Sequence, residues 1–125
     1  MIGLQFENLV LNNRFSLYNR LNIKLTDIIC EKPYFQRKTM TQPGCQIDHL
    51  IQTKFNTLYI CKIKFSKNRI GTEVIEEVQQ KMDRLKRPKG FSCRPVLIQV
   101  NGVTEDLIDK GYFAHIIDFS KLLSE

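Results

Sequence analysis

No two cysteines in the chain are spaced C-x-x-C; Cys30, Cys45, Cys61 and Cys93 stand singly. That removes the close ligand spacing on which structural zinc sites depend. Cys45 and Cys61 lie inside strand-like runs, and all four thiols read as small buried hydrophobes of a reducing cytosol. No apolar run approaches the roughly 20 residues of a membrane-spanning helix, so no membrane partner is expected. The first residues include Gln5, Glu7 and Asn8 where an export signal would be apolar, which predicts a cytoplasmic protein. There is no Walker motif: "SKNRIG", Ser66 to Gly71, lacks the glycine spacing of a phosphate-binding loop. Repeats, low-complexity tracts and long linkers are also missing, which excludes solenoids and arrays.

What is present suits a single globular domain spanning residues 1–125, with 42% apolar and 26% charged residues. The net charge is +6, from 19 basic and 13 acidic residues. The basic residues concentrate in "KMDRLKRPKG", Lys81 to Gly90, with Arg94 just beyond. Lys81, Arg84, Lys86, Arg87, Lys89 and Arg94 are therefore candidate nucleic-acid contacts. The same run reads equally well as a solvated helix end whose cations suit the C-terminal dipole.

Apolar spacing predicts a helix over residues 3–19, bent near Asn12 and Asn13. "NIKLTDIIC" predicts a second short helix with Asn22 as its cap, ended by Pro33, and "YFQRKT" a short strand. Two strands follow, near 45–53 and 57–65, around a "KFN" hairpin loop. They are apolar on both faces, as in central strands covered on both sides. "TEVIEEVQQKMDRLK" predicts a helix with Val74, Ile75, Val78, Met82 and Leu85 on one stripe, ended by Pro88 and Gly90. "FSCRPVLIQVNG" is a buried strand, parallel to an earlier one through the preceding helix. "TEDLIDKGYF" is a short helix capped by Thr104, "AHIIDF" a last strand, and "SKLLSE" a terminal turn or helix. The expected fold is α/β, a mixed β-sheet flanked by helices, in the order α-α-β-β-β-α-β-α-β.

Three charges sit in the two most strand-like segments: Asp48 in "GCQIDHLIQT", and Lys62 and Lys64 in "LYICKIKFSK". With the hairpin centred on Phe55, positions summing to 110 face each other. Asp48 then faces Lys62, and Gln46 faces Lys64 two residues further along the same face. Buried charge is costly unless paired, so a purely structural ion pair accounts for the pattern as readily as a site does.

"GCQID" followed by a hairpin and "ICKIKFS" resembles the PD-(D/E)XK nuclease superfamily. It is most similar to the C-terminal nuclease-like domain of a family of prokaryotic AAA-type ATPases. The opening "GLQFENLV" resembles the "FE-x-L" helix of that domain, and the likeness spans about residues 3 to 120. The resemblance implies a restriction-endonuclease-like core. In it Glu7 is the first-helix carboxylate, Asp48 the metal-binding aspartate, Lys64 the motif lysine and Gln46 the family's glutamine. Gln79 or Gln80 would lie on the flanking helix. Lys62 stands where the family has a glutamate.

That departure changes the local charge by two units and removes a carboxylate that magnesium, a hard cation, would prefer. At about 4 Å and an effective dielectric near 20, each unit charge acts with about 4 kcal/mol, against the metal. The resemblance thus implies an inactive nuclease homologue without a cofactor. It would act as a nucleic-acid or protein interaction module linked to an AAA-type ATPase whose own module is not in this chain. The alternative is an active nuclease in which Glu7 and Asp48 hold Mg2+ and Lys64 stabilises the transition state. A third reading is an unrelated α/β interaction domain. His49, on the opposite parity from Asp48, reads as a packed histidine, and His115 has no catalytic partner in sequence.

Overall fold

A computed structural model of the chain describes residues 2–120, with side chains from Gln5 onward. Its centre is a five-stranded mixed sheet in the order β1-β2-β3-β4-β5: Ile28–Gln36, Cys45–Thr53, Thr57–Lys64, Ser92–Gln99 and His115–Asp118. The β1/β2 and β2/β3 pairs are antiparallel, and β3/β4 and β4/β5 are parallel. Each parallel step requires a crossover, supplied by α3 (Glu73–Arg84) and α4 (Glu105–Lys110). The chain begins with α1 (Ile2–Asn12) and α2 (Arg14–Arg20). The element order is the one the sequence predicts.

The helices divide between the two faces of the sheet. Phe6, Val10, Leu17 and Tyr18 of α1 and α2 pack on Ile51, Tyr59, Cys61, Ile63, Val96 and Ile98. Val74 and Val78 of α3 and Leu107 of α4 pack on Leu97 on the other face, where Leu85 also covers Leu58 and Ile60. Successive side chains of β4 thus enter opposite cores, and Val96, Leu97 and Ile98 are all fully buried. This explains why the central strands are apolar at consecutive positions.

The first helix breaks where the bend is expected: Asn13 splits it into α1 and α2, and its side chain donates to the Leu9 carbonyl at 2.8 Å. The segment that follows departs from expectation. Asn22 does not cap a following helix but terminates α2. It takes a positive φ of 57°, a conformation asparagine tolerates, with Asn22 N–H bonded to Asn19 O and Ile23 N–H to Tyr18 O. The predicted second helix shrinks to one 3-10 turn, Leu25–Asp27, and β1 begins directly after it. Pro33 therefore ends nothing. It lies within the edge strand β1, between Lys32 and Tyr34, where the register with β2 shifts and a residue without an N–H is tolerated. The terminal turn expected at "SKLLSE" falls almost wholly outside the described residues.

Local chemistry explains the remaining ends. The Thr104 hydroxyl accepts from Leu107 N–H at the start of α4, and Gly111, with φ 61°, closes it. The hairpin loop Lys54–Asn56 passes through positive φ at Phe55 and Asn56. No helix among the described residues is long and apolar enough to cross a membrane.

Candidate functional site

The predicted register holds from Thr53 opposite Thr57 to His49 opposite Cys61, all positions summing to 110. Beyond His49 the ladder stops, and a bulge explains why. Between Lys32 and Tyr34, two steps of β1, the partner positions on β2 run from Leu50 to Ile47, three steps. The extra residue falls at Asp48–His49, in the kind of irregularity that re-aims side chains at strand ends. Cys45 and Ile47 consequently face α3, as does Leu50 after the bulge, while His49 and Ile51 face α1 and α2.

Freed from the ladder, Asp48 bridges the gap with its side chain. Its Oδ2 accepts the Ile63 backbone N–H at 2.8 Å, replacing a lost main-chain bond. The Lys62 ammonium lies 3.9 Å from the same oxygen and 4.0 Å from Glu77 Oε2. The Asp48 and Lys62 side chains are 10% and 19% exposed, so this pair is largely withdrawn from solvent. Lys64 turns to Glu77 instead, with Nζ 3.3 Å from Oε1 and 3.4 Å from Oε2.

Glu7 reaches the same region from α1. Phe6 beside it packs edge-on against Phe65 and Phe119, which holds that turn of the helix at the end of β3. Burial raises the Glu7 carboxyl above its ordinary value, and the Asp48 charge adds to the rise; Lys62 and Lys81 oppose it. Lys81 also lines, with Asp48 and Lys62, a cleft of only about 10 Å³. That is at the lower limit for a single water. Three carboxylates (Glu7, Asp48, Glu77) thus meet three ammonium groups (Lys62, Lys64, Lys81), and the cluster is formally neutral.

Glu77 and Lys81 are the members that sequence reasoning did not assign to the site. They flank the buried stripe of Val74, Val78 and Leu85 one turn apart, Glu77 exposed and Lys81 half-buried. An opposite-charge pair at i and i+4 beside an apolar stripe is the signal that marks them. Gln46 does not join. The bulge turns it to the opposite face, exposed and paired with Phe35, so the expected Gln46–Lys64 contact does not form. Gln79 is engaged away from the cluster, donating to Asp83 and accepting from the Tyr112 hydroxyl, both at 2.8 Å; Gln80 is exposed.

The donor set does not fit the magnesium ion implied by the resemblance. The Lys62 ammonium lies 3.9 Å from Asp48, the aspartate that would hold the cation, and Asp48 Oδ2 is already committed to Ile63 N–H. Among the described residues no three His, Cys, Asp or Glu side chains are grouped as metal ligands.

The six basic candidates do not form one patch. Lys81 belongs to the neutral cluster, whereas Arg84, Lys86, Arg87 and Lys89 are exposed at and beyond the end of α3. Arg94 neighbours Tyr59 and lies on the other face of the sheet, in a recess with Asn22, Asp27 and Lys54.

His49 is packed, 3% exposed, with Nε2 3.4 Å from the Tyr18 hydroxyl. Burial lowers its pKa; Glu31 opposes and Arg14 adds to the effect. Its Nδ1 and Glu31 Oε2 are buried without a hydrogen-bond partner among the described residues. His115 is also lowered, by burial and then by Arg94. Cys45 and Cys61 are buried thiols whose pKa values burial raises, as expected of core hydrophobes, but Cys30 is exposed and Cys93 half-buried. No protein-family model matches the chain, and no curated protein matches it.

Proposed function

We propose that the chain is a PD-(D/E)XK nuclease-like domain that has exchanged metal-dependent cleavage for binding. In this reading it is a nucleic-acid or protein interaction module that works with an AAA-type ATPase. The observation that carries the reading is the Lys62 ammonium, 3.9 Å from Asp48 and 4.0 Å from Glu77. It supplies the positive charge that two facing carboxylates require, from a side chain that cannot activate water as a metal does. The bulge that frees Asp48 and the convergence of Glu7 and Lys64 on the same strand ends also support it.

The test is a cleavage assay on single- and double-stranded DNA and RNA with Mg2+ or Mn2+. No product above that of an Asp48→Ala, Lys64→Ala control is expected. Cleavage abolished by either substitution establishes instead the active nuclease built on Glu7, Asp48 and Lys64, and removes this proposal.

A further inference from the structure

Beyond the last turn of α3, the sheet face continues without a helix over it. Tyr34, Leu50 and Leu58 floor a recess of about 160 Å³ there, closed on one side by Phe91 and rimmed by Lys86 and Arg87. The two rings are half-buried rather than sealed in the core. The rim is cationic and uncompensated: among the described residues, Arg84, Lys86, Arg87 and Lys89 have no carboxylate within ion-pair distance.

The rim is also held in place. Gln36, only 4% exposed at the end of β1, accepts from Lys86 N–H at 2.8 Å. Its amide donates to the Arg84 carbonyl at 2.7 Å and to the Pro43 carbonyl at 2.8 Å. One buried side chain therefore fixes the backbone on both sides of Leu85, where the chain leaves the helix. The Arg87 guanidinium contacts the Cys93 sulfur and is directed toward the recess side of β4. Such pre-organisation lowers the ordering cost of binding.

We infer that this recess is a subsite for one nucleotide of a single-stranded nucleic acid. The base enters the apolar slot against the Phe91 and Tyr34 rings, and the flanking phosphates meet Lys86 and Arg87. Single strands expose the unpaired base faces that such a slot requires, whereas a duplex keeps them stacked. An acidic peptide shares the charge but not the planar apolar face that the aromatic slot selects. The inference rests on the proposed reading of the chain as a contact module, and it adds the ligand class and the place.

The test is fluorescence anisotropy with labelled oligothymidylate and oligouridylate, a duplex of equal length, and a poly-glutamate peptide. Wild-type protein is expected to bind one or both single strands more tightly than the duplex or the peptide; the two single-strand arms decide between DNA and RNA. Phe91→Ala weakens binding by roughly 5- to 150-fold, the range of one lost base-stacking contact. Phe91→Leu keeps the apolar packing and loses the ring, so it serves if Phe91→Ala fails to fold. The exposed pair Lys86→Gln, Arg87→Gln lowers the slope of log affinity against log salt by about 1.4.

Single-strand binding that both the Phe91→Leu and the Lys86→Gln, Arg87→Gln variants leave unchanged overturns the subsite while leaving a nucleic-acid module elsewhere on the chain. Equal binding of duplex and single strand, insensitive to Phe91, overturns it in the same way. Absence of binding to any nucleic acid, or preference for the peptide, overturns the subsite together with the nucleic-acid part of the reading it rests on.

Discussion

Replacing Lys62 by glutamate tests the account of the charge cluster most directly. In the native arrangement the ammonium group faces Asp48 at 3.9 Å and Glu77 at 4.0 Å. Lys62→Glu turns both attractions into repulsions and shifts the cluster from neutral to two net negative charges. At an effective dielectric near 20, one unit pair at this distance amounts to about 4 kcal/mol. Glu77 is 44% exposed, so solvent and salt remove much of its share. A loss of about 2–4 kcal/mol is therefore expected in the absence of divalent ions.

The variant now carries four carboxylates around the position that the ammonium held, and a hard divalent cation should stabilise it. At a free concentration about 100 times its dissociation constant, a ligand selective for the native state restores about 2.7 kcal/mol. For a chain of this size that is a rise in Tm of roughly 10 °C. Thermal and urea unfolding with and without Mg2+ measure both quantities. The wild-type chain should show no comparable Mg2+ effect. The reasoning is refuted if Mg2+ stabilises wild type as strongly as the variant. It is equally refuted if Lys62→Glu unfolds no more easily than wild type in chelator.

Other consequences can be read from the same geometry. Asp48→Ala removes a charge-assisted bond and leaves Ile63 N–H without its 2.8 Å acceptor, so a loss of about 2–4 kcal/mol is expected in urea unfolding. Asp48→Asn should recover part of it, because the amide oxygen can still accept that bond; equal losses would discount the bond. Gln36→Leu deletes three hydrogen bonds and is expected to cost about 2–4 kcal/mol, with faster amide exchange at Lys86. Unchanged protection there would mean that the segment is held by other contacts. His49 is held below its ordinary pKa of 6.5, so the unfolded chain takes up its proton first as pH falls. Stability should therefore be complete above about pH 6.5 and decline as pH falls through 6.5 toward the folded pKa, by at most about 1.4 kcal/mol per pH unit for this group. His49→Gln should flatten that part of the profile in urea titrations, and a variant as steep as wild type would exclude His49 as its source.

The elements most legible in the sequence are those whose information is local. The stripe of Val74, Val78 and Leu85 makes α3, and Thr104 and Gly111 mark the ends of α4. The hairpin centred on Phe55 brought the register and the nearness of Asp48 to Lys62 within reach of counting. The region around Asn22 and Pro33 was misleading because both residues have two uses. Asparagine starts helices and also ends them in the left-handed conformation; proline breaks helices and is also tolerated at a sheet edge. Which use applies depends on what lies alongside, and β2 lies alongside β1 only after the chain has folded.

By itself the sequence determined the α/β class, the element order, the double-sided burial of the central strands and the placement of three charges among them. Periodicity and turn chemistry act over a few residues and leave their mark there. Only the tertiary structure decided how those charges are used. The bulge at Asp48–His49 is a mismatch between two strands and is not written in either one alone. It sends Gln46 to the far face and directs Asp48 to the Ile63 amide. The partners of Lys62 and Lys64 come in part from α3, through Glu77, and α3 meets β3 only across the crossover. Charge pairing and backbone satisfaction are settled by distances between segments, and those distances exist only in the folded chain.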